Sequence, residues 1–296
     1  MRKKLIMAGI ALLFAACSNN ENETIVDNNA QAPVTVRVND FSITQSEFPG
    51  TRATAIGDYN NAKAITLAFY KSDGTEVYKH TQFKSDESTY TTFGEFSTSL
   101  PMGSFTMVVL GYYQGADPHA ITLTSPTAAA FTEDAARETF AATQSFTVNS
   151  NDAKELTATL NRIVSKLRVV STDGRTADMN GIRVTFAGGS KSFNPTTGLA
   201  TDNNGLFNTV YPNAAVGATS TSNYFLFLTN DEQTMNVTIE TLDAEDNVLF
   251  TKTINNVPFK RNRVTTLTGA MYSAAASAGS FQLNTEWIDP EDDIEF

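Results

Sequence analysis

The chain has 296 residues, 32 acidic against 21 basic side chains, a net charge of −11 and a single cysteine. That charge argues against nucleic-acid binding, which needs Lys and Arg patches to neutralise phosphates, and against electrostatic attachment to anionic lipid. One cysteine excludes an internal disulfide and a thiolate metal cluster.

Residues 1–17, MRKKLIMAGIALLFAAC, have the three parts of a secretory signal: Arg2, Lys3 and Lys4, a short apolar stretch over residues 5–14, and small residues before the end. The apolar stretch is too short to span a bilayer as a helix. Its last five residues, Leu13-Phe14-Ala15-Ala16-Cys17, resemble the lipobox of bacterial lipoproteins, which implies lipidation of Cys17. Taking the three basic residues of this leader from the 21 leaves 18 against 32 acidic residues, or −14. Residues 18–32 are polar and acidic with no core-forming pattern, and read as a disordered tether.

The next stretch, PVTVRVNDFSI, places Val34, Val36 and Val38 on one face, and Phe41 and Ile43 resume the alternation after a bulge. FPGTRATAIG follows, a Pro-Gly turn with Arg52 standing among small residues. ITLAFYKSDGTEVY predicts a hairpin turning at Asp73-Gly74 with Ile65, Leu67 and Phe69 facing together. Phe105, Met107 and Val109 share a face of another strand. FTEDAARETFAAT, residues 131–143, breaks the alternation; Thr132 as N-cap, acids in the first turn and abundant alanine predict a short helix.

Residues 149–152, Asn-Ser-Asn-Asp, mark the expected domain boundary, dividing a first domain over 33–152 from a second over 153–296. LTATLNRIVSKLRVVSTDG reads as one long alternating run, and MNVTIETLDAEDNVLFTKTI as a hairpin around residues 243–247. SFQLNTEWI, residues 280–288, alternates Phe281, Leu283, Thr285 and Trp287 after the small-residue stretch MYSAAASAG. The fold class is therefore all-β: two antiparallel β-sandwich domains with a short helix in the first.

No catalytic constellation is legible. His80 and His119 are expected in loops with no triad partners, no Gly-rich phosphate loop follows a strand, and TDNNG at 201–205 lacks the spacing of a calcium loop. The reading is of a protein that is not an enzyme and uses neither cofactor nor metal. A monomeric surface lipoprotein that binds glycan or host protein is the alternative from a different class; Tyr112, Tyr113 and Trp287 are its aromatic candidates.

Three stretches carry a resemblance to the fimbrillin-like superfamily, the Bacteroidia-type (type V) pilins: the lipobox at Cys17, LNRIVSKLRV at 160–169, and NNVPFKRNRVTTLTGAMY at 255–272. The resemblance implies two transthyretin-like sandwiches, export to the cell outer membrane through a lipid anchor, and a place in a surface fimbrium with other fimbrial subunits. It implies polymerisation by donor-strand exchange and maturation by an arginine-specific protease, with Arg52-Ala53 at the cleavage position. The displaced first strand would span 33–48 and the donor strand 280–288. The superfamily also contains anchors, which keep their first strand, and tip subunits, which need no donor. A host surface receptor or glycan is a further partner implied by adhesion.

Overall fold

The computed structural model describes residues 31–42, 53–55, 62–113, 121–272 and 282–284, with backbone alone at 39–42, 53–55 and 284. Among these residues strand is the dominant element, the only helical turn is a short 3-10 turn at Glu87–Thr89, and no helix is long and apolar enough to cross a membrane.

Ten strands build the first half: β1 (Gln31–Ser42), β2 (Ala53–Ala55), β3 (Ala64–Lys71), β4 (Glu76–Phe83), β5 (Glu95–Pro101), β6 (Gly103–Tyr112), β7 (Ile121–Ser125), β8 (Ala128–Phe131), β9 (Thr139–Val148) and β10 (Lys154–Arg162). Eight of them form one sheet in the order β2-β1-β10-β9-β6-β3-β4, with β5 also paired to β1. β9 and β10 pair only at Ala141↔Asn161 and Phe140↔Arg162. The sheet turns over at that corner, so β5-β1-β10 lies as one layer against β9-β6-β3-β4. Side chains from both layers meet in one core that includes Val36, Leu67, Phe69, Met107, Val109 and Leu160. The period-2 alternation sets this arrangement, because successive side chains point to opposite faces.

The second half contains β11 (Ser165–Ser171), β12 (Gly181–Phe186), β13 (Ser192–Asn194), β14 (Leu199–Ala200), β15 (Leu206–Val210), β16 (Thr221–Leu226), β17 (Glu232–Leu242), β18 (Val248–Lys260), β19 (Val264–Gly269) and β20 (Gln282–Asn284). Two four-stranded sheets, β16-β11-β19-β20 and β15-β12-β17-β18, enclose Leu167, Val184, Val237, Phe259 and Leu267. A third, β14-β13-β8-β7, joins the halves: the hairpin over residues 121–131 pairs with β13, and Phe131 and Phe193 both stack on Phe227.

The predicted hairpins form where the turn chemistry placed them. β3 and β4 turn at Asp73-Gly74, with Gly74 at φ 84°, and β17 and β18 turn at 243–247, where the Asp243 carboxylate accepts from the Glu245 and Asn247 amides. The helix predicted over 131–143 does not exist. Thr139–Val148 pairs along its whole length with β6, and Ala135 and Ala136 are buried in a bent connection whose Ala136 bridges Phe225. Strand pairing and burial there override the helical preference of alanine. Residues 149–152 form the turn between β9 and β10, inside the first sheet, because β10 is needed as the partner of β1; the chain changes sheet at Ile163-Val164. The pairing is not wholly antiparallel either: β1 runs parallel to β10, and β11 parallel to β19.

Candidate functional site

β1 is the middle strand of its layer. One edge runs parallel to β10 from Val34↔Lys154 to Ser42↔Asn161, and the other is covered by β5 from Gln31↔Pro101 to Arg37↔Glu95, then by β2 from Asp40↔Ala55 to Ser42↔Ala53. The register with β10 shifts between Val38 and Asp40, where the sequence places a bulge. Ala32, Val34, Val36 and Val38 point inward and are at most 4 % exposed. Phe96 and Leu100 of β5 and Leu156, Ala158 and Leu160 of β10 belong to the same core.

The strand is held on its solvent side as well. Arg37 Nε lies 3.4 Å from Glu95 Oε1, and Arg37 Nη1 lies 3.2 Å from Glu155 Oε2, so one guanidinium spans both neighbouring strands. The start of β5 is fixed by Gln82, a buried side chain whose Nε2 donates to the Glu95 carbonyl and whose Oε1 accepts from the Gly94 amide, both at 2.7 Å. The Val38 amide donates to the Gly94 carbonyl at 2.9 Å. Among the described residues β5 pairs with β1 alone. This slot, with a strand seated in it and β5 dependent on that strand, is the candidate functional site.

Other residues singled out in the sequence are dispersed. Cys17, Ile43, Arg52, Phe281, Thr285 and Trp287 lie outside the described residues, as does His119; for Phe41 and Ala53 the backbone alone is described, in β1 and β2. Leu283 sits in β20, opposite Leu267 at the outer edge of the second half, and is 45 % exposed. His80 is in β4, not in a loop, with its ring edge-on to Phe96. Tyr112 is buried against Phe131, so its ring offers no face to a sugar. Asn203 of the TDNNG stretch accepts from the Gly189 amide and from Gln233, as a structural turn does. Among the described residues no group of three His, Cys, Asp or Glu side chains is placed to hold a metal ion.

The stretches 160–169 and 255–272 meet at the junction of the two halves. Arg162 pairs with Glu138 at 2.6 Å and donates to Asn262 Oδ1, and the Asn262 amide donates to the Val164 carbonyl at 2.8 Å. A polar cleft of about 1180 Å³ opens there, between β9 and β10 and below the turn at 260–263. Lys260 and Arg261 on its rim pair with Glu232 and Asp231. Sequence reasoning missed Gln82, Glu95 and Glu155. Glu95 and Glu155 gain importance only from their positions beside β1, and Gln82 only from its bonds to Gly94 and Glu95; no local pattern announces either.

No curated protein matches the chain. Among solved structures, the fimbrial anchor protein Mfa2 from Porphyromonas gingivalis is similar at 10 % identity, with 87 % of this chain and 99 % of that one covered and a TM-score of 0.48. A protein described as a candidate adhesin from Bacteroides ovatus ATCC 8483 is 12 % identical over 82 % of this chain and 87 % of that one, with a TM-score of 0.48. A fimbrial assembly protein from Parabacteroides distasonis ATCC 8503 is 10 % identical over 86 % of this chain and 93 % of that one, at a TM-score of 0.39. One family model matches residues 27–294, nearly the whole chain, and the protein therefore belongs to the family of unknown function DUF6562.

Proposed function

We propose that this protein is a structural subunit of a cell-surface fimbrium. It is exported as a lipoprotein through Cys17, cut after Arg52, and joined to other subunits by exchange of β1 for a neighbour's strand. Its own C-terminal strand over residues 280–288 in turn fills the slot of another subunit.

The observation that supports this reading is the place of β1. It is paired on both edges, supplies Val34, Val36 and Val38 to the core, and is the sole strand partner of β5 among the described residues. Three buried valines contribute about 5 kcal/mol at the lower end of the usual range, a large share of the roughly 5–15 kcal/mol that stabilises a domain. Loss of β1 without replacement would expose that apolar surface and leave unpaired backbone groups on β5 and β10, the situation that recruits an added strand. Loss of β1 and arrival of another strand are therefore coupled steps. Hydrolysis of the Arg52-Ala53 bond supplies the release, since it severs β1 from the rest of the chain while Ala53 and the body remain.

Amino-terminal sequencing of material sheared from the cell surface tests the reading. A start at Ala53 is expected. A blocked, lipidated start at Cys17 in assembled fibres would overturn processing and leave an uncut anchor.

A further inference from the structure

The slot occupied by β1 has a charged rim as well as an apolar floor. Along β1 the inward residues are Ala32, Val34, Val36 and Val38, and the outward ones are Pro33, Thr35 and Arg37. Arg37 is the one cation among these outward positions, and it sits between two carboxylates that belong to the body. Glu95 is directly opposite it in the β1–β5 register, while Glu155 faces Thr35 in the β1–β10 register, one diagonal step from Arg37. Such direct and diagonal neighbours on one sheet face are close enough to interact.

Both carboxylates stay when β1 goes. Gln82 fixes the backbone of Glu95 from the body side, and Glu155 is part of β10. Lys154, next in sequence to Glu155, is committed elsewhere: its Nζ donates to the Thr147 carbonyl at 2.9 Å and lies over the Phe146 ring. A strand with Lys or Arg at the Arg37 position regains two attractions. One with Asp or Glu there meets two repulsions.

The C-terminal strand of this chain has the wrong charge for that rim. The alternation of SFQLNTEWI places Gln282, Asn284 and Glu286 on the face opposite its apolar residues. No Lys or Arg follows Arg263, whereas Glu286, Asp289, Glu291, Asp292, Asp293 and Glu295 do. We propose that the β1 slot selects a strand from a different polypeptide, one with Lys or Arg at the Arg37 register, and rejects this chain's own C-terminal strand, so that the subunit makes heterotypic contacts. The proposal rests on the strand-exchange reading above and adds the chemistry of the partner. Glu95 is about one third and Glu155 71 % exposed, and such solvent-facing ion pairs are individually weak, so the rim acts by discriminating between strands while the apolar floor supplies most of the affinity.

The test uses the full chain, cut after Arg52 by an arginine-specific protease that is then inhibited. Fluorescent peptides are offered: QAPVTVRVNDFS, its Arg37→Lys and Arg37→Glu forms, SFQLNTEWI and its Glu286→Lys form. Retention of each peptide is followed by gel filtration. The unaltered β1 peptide and its Arg37→Lys form should be retained alike and the Arg37→Glu form about tenfold less at low salt, a gap that closes near 1 M salt as screening shortens the interaction. Glu286→Lys should improve retention of the C-terminal peptide. Bodies carrying Glu95→Lys with Glu155→Lys, or the milder Glu155→Lys alone, should prefer the Arg37→Glu peptide.

Equal retention of the unaltered and Arg37→Glu peptides would overturn the charge selectivity and leave strand exchange standing, as would SFQLNTEWI exchanging as well as the β1 sequence. If no peptide enters, the β1 sequence included, strand replacement itself fails and the proposal falls with it.

Discussion

Val36→Ala separates a strand that is displaced from one that stays. Val36 is fully buried at the centre of β1, with Phe96 and Leu156 in the same core. Removing two carbons forfeits about 1.6 kcal/mol of transfer free energy at ~0.8 kcal/mol each, and the unfilled cavity raises the cost to about 2–3 kcal/mol. At roughly 2–4 °C per kcal/mol for a body of this size, the uncut chain should melt roughly 5–10 °C lower. Assembled fibres should melt unchanged, because a neighbour's strand, without the mutation, then occupies the slot. Val237→Ala, in the second half and equally buried, should lower both forms and serves as the control. Scanning calorimetry of uncut monomer and of fibre from the same variant makes the comparison. A fibre destabilised as much as its monomer would show that β1 never left, and an unaffected monomer would show that Val36 contributes nothing to the core.

Deleting residues 280–296 should abolish heat-resistant ladders on denaturing gels while leaving the melting of the monomer nearly unchanged, since Leu283 is half exposed on an edge strand; persistent ladders would remove that segment from assembly. Glu138→Gln breaks the buried pair with Arg162 at the junction of the halves and should cost about 3 kcal/mol, measured by urea unfolding; an unchanged midpoint would contradict the importance given to that pair. Burial is the largest cause holding the phenols of Tyr70, Tyr112, Tyr224 and Tyr272 above their ordinary range. Unfolded tyrosines ionise near pH 10, so the folded state loses its advantage above that pH and keeps it fully below. Thermal melts should be flat from pH 8 to about 9.5 and fall steeply beyond pH 10; a flat profile through pH 11 would contradict the burial of these rings.

What was legible in the sequence followed from short-range physics. The alternation of Val34, Val36 and Val38 gave the inward face of β1, and Asp73-Gly74 gave the turn between β3 and β4, because side-chain period and turn chemistry act over a few residues. Pairing at long range left no such trace. Nothing local in Lys154–Arg162 says that it runs parallel to β1, more than a hundred residues earlier, whereas the passage from one sheet to another at Ile163-Val164 does leave a trace, since the alternation of LNRIVSKLRV breaks there into paired polar and apolar residues. The Ala-rich run after Thr132 misled for the same reason: its strand conformation comes from β6, which the window does not contain. Glu133 and Arg137 even form an i,i+4 ion pair at 3.6 Å without a helix around them. The carboxylate rim of the slot belongs to this second class, since Glu95 and Glu155 acquire meaning only when both flank Arg37.

The central claim is that β1 must leave its slot before subunits can join, and a reversible covalent lock tests it most directly. The Val38 amide bonds to the Gly94 carbonyl, which makes Thr35 and Ser97 a non-hydrogen-bonded pair in the antiparallel register, the spacing a disulfide fits. Mixed with its partner subunit, a Thr35→Cys, Ser97→Cys chain should be cut after Arg52 yet stay unassembled under oxidising conditions, and should join the partner once reductant is added. Fibres forming equally well with the disulfide intact would contradict the claim.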